Sequence, residues 1–257
     1  MKLRGNISFA TGGLAAGLAM AIASPGAALA ADTLLEQRMA PNPTIDTVVY
    51  WGADFTYGNS NRHGIGVDAG FVTALNGDLG AEGWTISGNL GLSRSEDIGS
   101  DTESVYGSLL LGYIWPGQGY YFTAAGGVNF VNNDETPPGS VTDGSAVGAI
   151  VQYGFETTSE NAFYAQSYGS YSTANDQVYV HAKVGYKTSQ LRFGPEFTVS
   201  DDKGGKPTLR YGAFVGDIPL GEKVSMVVSA GYQQELEPGT EDRFYAAVGF
   251  SVPLSLR

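Results

Sequence analysis

The stretch QVYVHAKVGYKTSQLRFGPEFTV, residues 177–199, decides the fold. Its even positions begin Val178, Val180, Ala182, Val184 and Tyr186, apolar except for the tyrosine tip. The odd positions between them are Tyr179, His181, Lys183, Gly185 and Lys187. After Thr188-Ser189 the alternation resumes, with Leu191, Phe193, Pro195, Phe197 and Val199 set against Arg192, Gly194, Glu196 and Thr198. Successive side chains of a strand point to opposite faces. The pattern therefore predicts two strands, each with one apolar and one polar face, joined by a two-residue turn. Each is about ten residues long, enough to cross a bilayer at a tilt, whereas soluble strands average about five or six. This is the pattern of a transmembrane β-barrel.

Period-two segments recur on both sides of this hairpin. They cover approximately 47–57, 65–75, 83–93, 105–115, 120–130, 145–156, 162–172, 177–187, 190–199, 208–218, 223–233 and 243–254. The expected fold is all-β: an antiparallel transmembrane barrel of about 12 strands. With both termini periplasmic, the outer loops are 58–64, 94–104, 131–144, 173–176, 200–207 and 234–242. The inner turns are 76–82, 116–119, 157–161, 188–189 and 219–222. The outer set is mostly the longer, as in bacterial outer-membrane barrels.

Acids crowd four of the outer loops: Glu96, Asp97, Asp101 and Glu103; Asp134, Glu135 and Asp143; Asp201 and Asp202; Glu235, Glu237, Glu241 and Asp242. None has the spacing of a calcium loop, so they read as solvated, repelling segments. Tyr50, Trp51, Trp115, Tyr120, Tyr121, Phe155, Phe163 and Tyr186 fall at strand ends and predict an aromatic girdle, chiefly on the periplasmic side. The C-terminus, Leu254-Ser255-Leu256-Arg257, has no terminal aromatic, which leaves the register of the last strand open between alternatives.

The N-terminus predicts export. Lys2 and Arg4 precede an apolar stretch from Ile7 to Ala23, and Ala28-Leu29-Ala30 supplies an A-x-A site. This reads as a secretory signal over residues 1–30, cleaved after Ala30. Residues 31–46 read as a periplasmic segment, in which a helical turn or two over Thr33–Met39 ends at Pro41-Asn42-Pro43, and residues 47–257 as the barrel. There are 37 glycines, 15 tyrosines and 12 phenylalanines, and 16% of residues are charged. The absence of cysteine excludes a disulfide scaffold. A net charge of −12 argues against nucleic acid as a partner, and removing the signal makes the chain more acidic still.

Several stretches carry a resemblance. They are Trp51-Gly52-Ala53-Asp54, Thr73-Ala74-Leu75-Asn76-Gly77-Asp78-Leu79, Leu111-Gly112-Tyr113-Ile114-Trp115, Gly169-Ser170-Tyr171-Ser172-Thr173, Phe193-Gly194-Pro195-Glu196 and Val228-Ser229-Ala230-Gly231-Tyr232. Together, over residues 50–254, they resemble the BcsS family of small proteins associated with bacterial cellulose biosynthesis. The Ala-Leu-Asn-Gly-Asp-Leu turn is the most specific piece. The resemblance implies an outer-membrane barrel acting in cellulose production or export. Its implied partners are outer-membrane lipid and cellulose or cellulose-synthase components. It supplies no catalytic or binding residue.

If the apolar faces meet lipid, the lumen receives Asp54, Asp68, Glu156, His181, Lys183, Lys187, Arg192, Glu196 and Arg210. Pairing across a Thr188-Ser189 turn sets Lys187 opposite Gln190, Gly185 opposite Arg192 and His181 opposite Glu196. Mixed signs on one wall predict an ion network, with His181, Lys183, Arg192, Glu196 and Arg210 at its centre. Stiffening of the interior outweighs a selective pore. Tyr106, Tyr164, Tyr168 and Tyr179, with Tyr121 and Tyr245, are placed to stack on sugar rings or to pack with their hydroxyls paired. Ser170, His181 and Glu196 form the one set resembling a lipid hydrolase, but it faces the lumen, away from lipid. Two histidines and no cysteine give little for a metal, and no cofactor motif is present. The expectation is a non-enzymatic barrel, with a small diffusion pore as the alternative and a lipid hydrolase after it.

Overall fold

The computed structural model describes residues 45–256 other than 60, 61, 98, 206 and 237–241. The signal segment and most of the segment 31–46 lie outside these residues. Twelve strands follow one another: β1 (Thr47–Tyr57), β2 (His63–Ala74), β3 (Gly83–Asp97), β4 (Ser100–Gly117), β5 (Tyr120–Thr136), β6 (Gly144–Thr157), β7 (Ala162–Ser172), β8 (Gln177–Lys187), β9 (Arg192–Asp201), β10 (Thr208–Leu220), β11 (Val224–Glu235) and β12 (Arg243–Leu254). Each pairs antiparallel with its neighbour in sequence, and β12 returns to β1, so the sheet closes into a barrel. The closing seam runs unbroken from Thr47↔Leu254 to Tyr57↔Phe244, which fixes the register of the last strand. Thr47 and Leu254 mark the terminal end of the barrel, and the opposite rim is the loop end.

Alternation sends apolar side chains outward. On β5 the outward residues Tyr120, Phe122, Ala124, Gly126, Val128 and Phe130 cover ~25 Å of height at ~3.3 Å per residue and ~40° tilt, the height of an apolar bilayer band. The aromatic girdle at the terminal end contains exposed Trp115, Tyr120, Phe163 and Tyr186. Trp84 joins them, edge-on to Tyr113 with ring centroids 5.2 Å apart. Trp51 stacks on Phe250 across the closing seam at 5.6 Å. Two expected girdle residues do not belong to it. Tyr50 and Tyr121 are buried in the lumen, because each sits one residue out of phase with an outward aromatic, Trp51 and Tyr120.

The β8–β9 connection differs from the expected two-residue turn. Residues 188–191 form the turn, with the Thr188 N–H donating to Leu191 O at 2.7 Å. Thr188 Oγ1 accepts from the amides of Gln190 and Leu191 at 3.1 and 2.8 Å. This local bonding draws in two more residues, so Lys187 faces Arg192, Lys183 faces Glu196 and His181 faces Thr198. A shift of two keeps every side chain on its expected face. Between Lys183↔Glu196 and Tyr186↔Phe193 the ladder opens, where Pro195 lacks an N–H. A second irregularity lies in β10. A bulge between Val215 and Ile218 puts Asp217 at φ 60° and reverses the alternation there.

The outer loops are shorter than expected because the strands run on. Glu96 and Asp97 lie on β3, Asp101 and Glu103 on β4, Asp134 and Glu135 on β5, Asp201 on β9 and Glu235 on β11. Of these, Glu135 and Glu235 are buried rather than solvated. Glu237 and Glu241 lie outside the described residues.

Both mouths are narrowed. At the terminal end, the turn 75–82 folds inward and Leu79 packs with Val48, Val72, Ala74 and Ile114, with Ile45 beside them. Its amide donates to Ile45 O at 2.9 Å. Gly77 takes φ 80° and Asn76 Oδ1 accepts the Asp78 amide at 3.1 Å, which is how this short sequence turns back on itself. At the loop end, Thr142 of the loop 137–143 turns into the mouth and is buried there. Asn133 Nδ2 donates to Thr142 O at 3.0 Å, and Thr142 Oγ1 donates to Glu135 Oε1 at 2.7 Å. Gly204 of the β9–β10 loop closes against Thr142, where a Cβ would lie 2.7 Å from its methyl.

Candidate functional site

Three groups of ions fill one side of the lumen. In the first, Glu156 Oε1 accepts from Arg192 Nη1 at 3.0 Å, while Glu156 Oε2 accepts from Tyr121 at 2.6 Å and Gln166 at 3.3 Å. Arg192 also donates to the Tyr164 hydroxyl and lies 5.0 Å over that ring. Asp217, turned inward by the β10 bulge, stands 3.4 Å from Arg192 Nε and 3.7 Å from Lys187 Nζ.

The second group centres on Glu196. Tyr245 donates to its Oε1 at 2.7 Å and Ser229 to its Oε2 at 2.9 Å. His181 Nε2 stands 3.4 Å from Oε2 and Lys183 Nζ 3.7 Å. Lys183 rests 4.7 Å above the Phe214 ring. Arg210 extends this group across the lumen. It donates to Gln233 at 2.7 Å and to Asp54 Oδ2 at 3.3 Å, and lies 5.4 Å over Tyr245.

The third group sits at the loop end. Arg243 donates to Asp97 at 2.9 Å and to Glu235 at 3.2 Å, and Arg62 pairs with Asp97 at 2.7 Å. Charges out of water are tolerated where they are paired, and each ion of these three groups has an opposite charge within 3.7 Å.

Within the wall formed by β3 to β8 lies a neutral patch. A cavity of about 60 Å³ lies there below the loop 137–143, lined by amides and hydroxyls such as Asn89, Ser108, Asn129, Gln152 and Ser170. Tyr106, Tyr168 and Tyr179 contribute to the same lining. The ring of Tyr168 meets that of Tyr179 edge-on at 6.0 Å, and Tyr179 meets His181 at 6.5 Å. The ionic groups and the neutral patch therefore meet at His181.

The nine lumenal residues expected from the alternation all face inward, and Lys183 and Arg192 are fully buried. The five central ones do not form a single network. Arg192 belongs with Glu156, while His181, Lys183 and Arg210 gather around Glu196 and Asp54. Of the four tyrosines proposed for sugar stacking, Tyr106, Tyr168 and Tyr179 line the neutral cavity, and Tyr164 lies among the ions. The hydrolase set does not assemble as a relay. Ser229, not Ser170, is the serine on Glu196, and Ser170 bonds Tyr168. Among the described residues, no group of three His, Cys, Asp or Glu side chains is placed to hold a metal. Sequence reading missed Asp217, Arg243 and Glu235. The Asp217 position has no signal, since alternation sets it outward. Arg243 and Glu235 keep the inward phase of their strands and were legible.

The model of the cellulose biosynthesis protein BcsS family matches residues 48–254, the whole barrel but its first residue. The chain belongs to the BcsS family. No curated protein matches it in sequence. The BcsS barrel is similar in structure to the TodX deltaS2S3 mutant monoaromatic hydrocarbon channel, with TM-score 0.54 and 8% identity over 89% of this chain and 94% of that one. It also resembles the β domain of the Bordetella autotransporter BrkA, with TM-score 0.49 and 14% identity over 83% and 100% of the two chains. The translocator domain of autotransporter NalP from Neisseria meningitidis gives TM-score 0.47 and 11% identity over 84% and 91%. At these identities what is shared is the fold, that of an outer-membrane β-barrel.

Proposed function

We propose that this protein is an exported, non-catalytic outer-membrane barrel that assists cellulose production, either in secretion of the polymer or in its retention at the cell surface. The family match carries the reading, since it ties the whole barrel to cellulose biosynthesis. Residues 1–30 act as the signal peptide, the terminal end faces the periplasm, and the rim bearing Glu96, Asp101 and Glu103 faces outward.

The lumen favours a scaffold over a conduit. Arg192, Lys183, Glu156 and Arg243 occupy it as buried, paired side chains, and each mouth is narrowed by an inward-folded segment. The hydrolase alternative lacks support in the geometry. Its histidine is sequestered on the lumenal face and its carboxylate is shared among a tyrosine, a serine and a lysine.

Deletion of the gene tests the reading. Cellulose deposition, measured by dye binding or polymer mass, should change, while lipid A and phospholipid profiles stay unaltered. An altered lipid profile reproduced by His181→Ala would replace this reading with the enzyme.

A further inference from the structure

We infer that the loop-end edge of β6, residues 145–147, docks an extended peptide segment with basic side chains, carried by an exported or surface protein, which adds to the sheet there as a short extra strand. The inference rests on the outward placement of the loop end and not on the cellulose role.

β5 accompanies β6 as far as Asn133↔Gly144, but β7 accompanies it only as far as Ile150↔Ser172. Past Ser172 the chain bends inward, and Ala174 and Asn175 are buried. A Cβ on Gly148 would overlap the Ala174 amide, so the glycine is what lets the loop turn in. Thr173 seals the bend. Its amide donates to Ala149 O at 2.9 Å, and its Oγ1 accepts the Ala149 amide at 2.9 Å. Those two bonds set the phase of the strand. Both backbone groups of Ala149 point toward β7, so by the alternation of an antiparallel ladder those of Val147 and Ser145 do too. Among the described residues nothing bonds to them there. The N–H and C=O of Ser145 and Val147 therefore stand in strand geometry without a neighbouring strand. Such an edge is a template for one more strand.

The surroundings select the occupant. Phe130, the last outward residue of the bilayer band on β5, pairs with Val147, so the edge begins where the band ends. Unpaired backbone is costly in hydrocarbon and tolerable above it, where exterior proteins reach it. Val147 is 78% exposed, the most open large apolar side chain among the described residues, and offers an apolar contact to the incoming strand. Asp134, Asp143 and Asp176 are exposed around the edge, against Lys203, whose amide bonds Asn175 O. This field attracts a basic segment and repels an acidic one. A second copy of the chain does not fit. Antiparallel pairing of two such edges needs one copy inverted in the membrane. A two-fold along the membrane normal would instead cross strands tilted ~40° at ~80°, too steep for a ladder.

The test uses the full-length protein in nonionic detergent and a fluorescein-labelled peptide, Lys-Val-Lys-Val-Lys, followed by fluorescence anisotropy. Saturable binding is expected, at least about tenfold tighter than that of Glu-Val-Glu-Val-Glu and weakened by added salt. Backbone pairing has its own signature. A peptide valine opposite Val147 turns its N–H toward β6, so N-methylation of the valines should abolish binding. N-methylation of the lysines should leave it within about threefold. Val147→Pro removes an edge N–H and no bond to β5. It should lose at least about tenfold in affinity and keep the parent's shift in gel mobility on heating. Ser145→Pro supplies the same comparison if Val147→Pro does not fold. Four results overturn the inference: no saturable binding, equal losses with the two methylated peptides, unchanged affinity in the proline variants, or an acidic peptide binding as well as the basic one. Disulfide-linked dimers of Val147→Cys in lipid vesicles would give the edge to a second copy and overturn it too. None of these results touches the accessory role, which stands or falls on cellulose deposition in the deletion strain.

Discussion

Arg192 on β9 reaches across the lumen to Glu156 on β6, at 3.0 Å, and both side chains are cut off from solvent. Two strands stand between them in the wall, so the pair braces the barrel from inside. Arg210 on β10 braces Asp54 on β1 at 3.3 Å in the same way, and Arg243 on β12 braces Asp97 on β3 at 2.9 Å.

Breaking that brace should be expensive. Glu156→Ala leaves a fully buried guanidinium with Asp217 as its remaining carboxylate, a loss of up to about 3–5 kcal/mol. Unfolding in urea, followed by gel mobility, should move to lower denaturant by that amount. The double substitution Glu156→Leu with Arg192→Leu should recover most of it, because no charge is left unpaired. A single variant as stable as the parent would contradict the bracing role.

Glu196 should behave similarly but divisibly. Glu196→Ala removes the acceptor of Tyr245 and Ser229 and the counter-charge of Lys183, and should lower the temperature at which the barrel unfolds on gels. Glu196→Gln keeps an acceptor for the two hydroxyls and should restore roughly half of the loss. Equal losses in the two variants would assign the whole effect to charge.

In a planar bilayer the wild-type protein should show no large, steady conductance. Leu79 and its apolar neighbours narrow one mouth, Thr142 the other, and the arginines and lysines occupy the space between. Steady channels of wide diameter would favour the diffusion pore.

Single cysteines at residues 178–187 should label alternately. Val178, Val180, Val184 and Tyr186 are exposed on the outer face and should react with a lipid-soluble probe. Tyr179, His181, Lys183 and Lys187 are buried within and should not. Uniform reaction with a water-soluble maleimide along the whole stretch would contradict the placement of β8 in a bilayer.

The sequence by itself determined the twelve strands, because a polar-apolar period of two over ten residues has few solutions other than a barrel wall. It also determined which face of β8 and β9 looks inward, since a slip of two residues at the 188–191 turn preserves the phase. The tertiary structure alone decided the partners. Arg192 and Glu156 lie 36 positions apart and meet only because the sheet closes on itself. Asp217 joined them through a bulge whose geometry is set by the neighbouring strands, while its position in the alternation points the other way. The acids of the expected outer loops divided into exposed Asp101 and Glu103 and buried Glu135 and Glu235 once strand extension placed them on a wall. Alternation is a local property of the backbone and is written in every segment. Distance across a lumen depends on tilt, closure and the height at which each strand stands, and no segment carries that information alone.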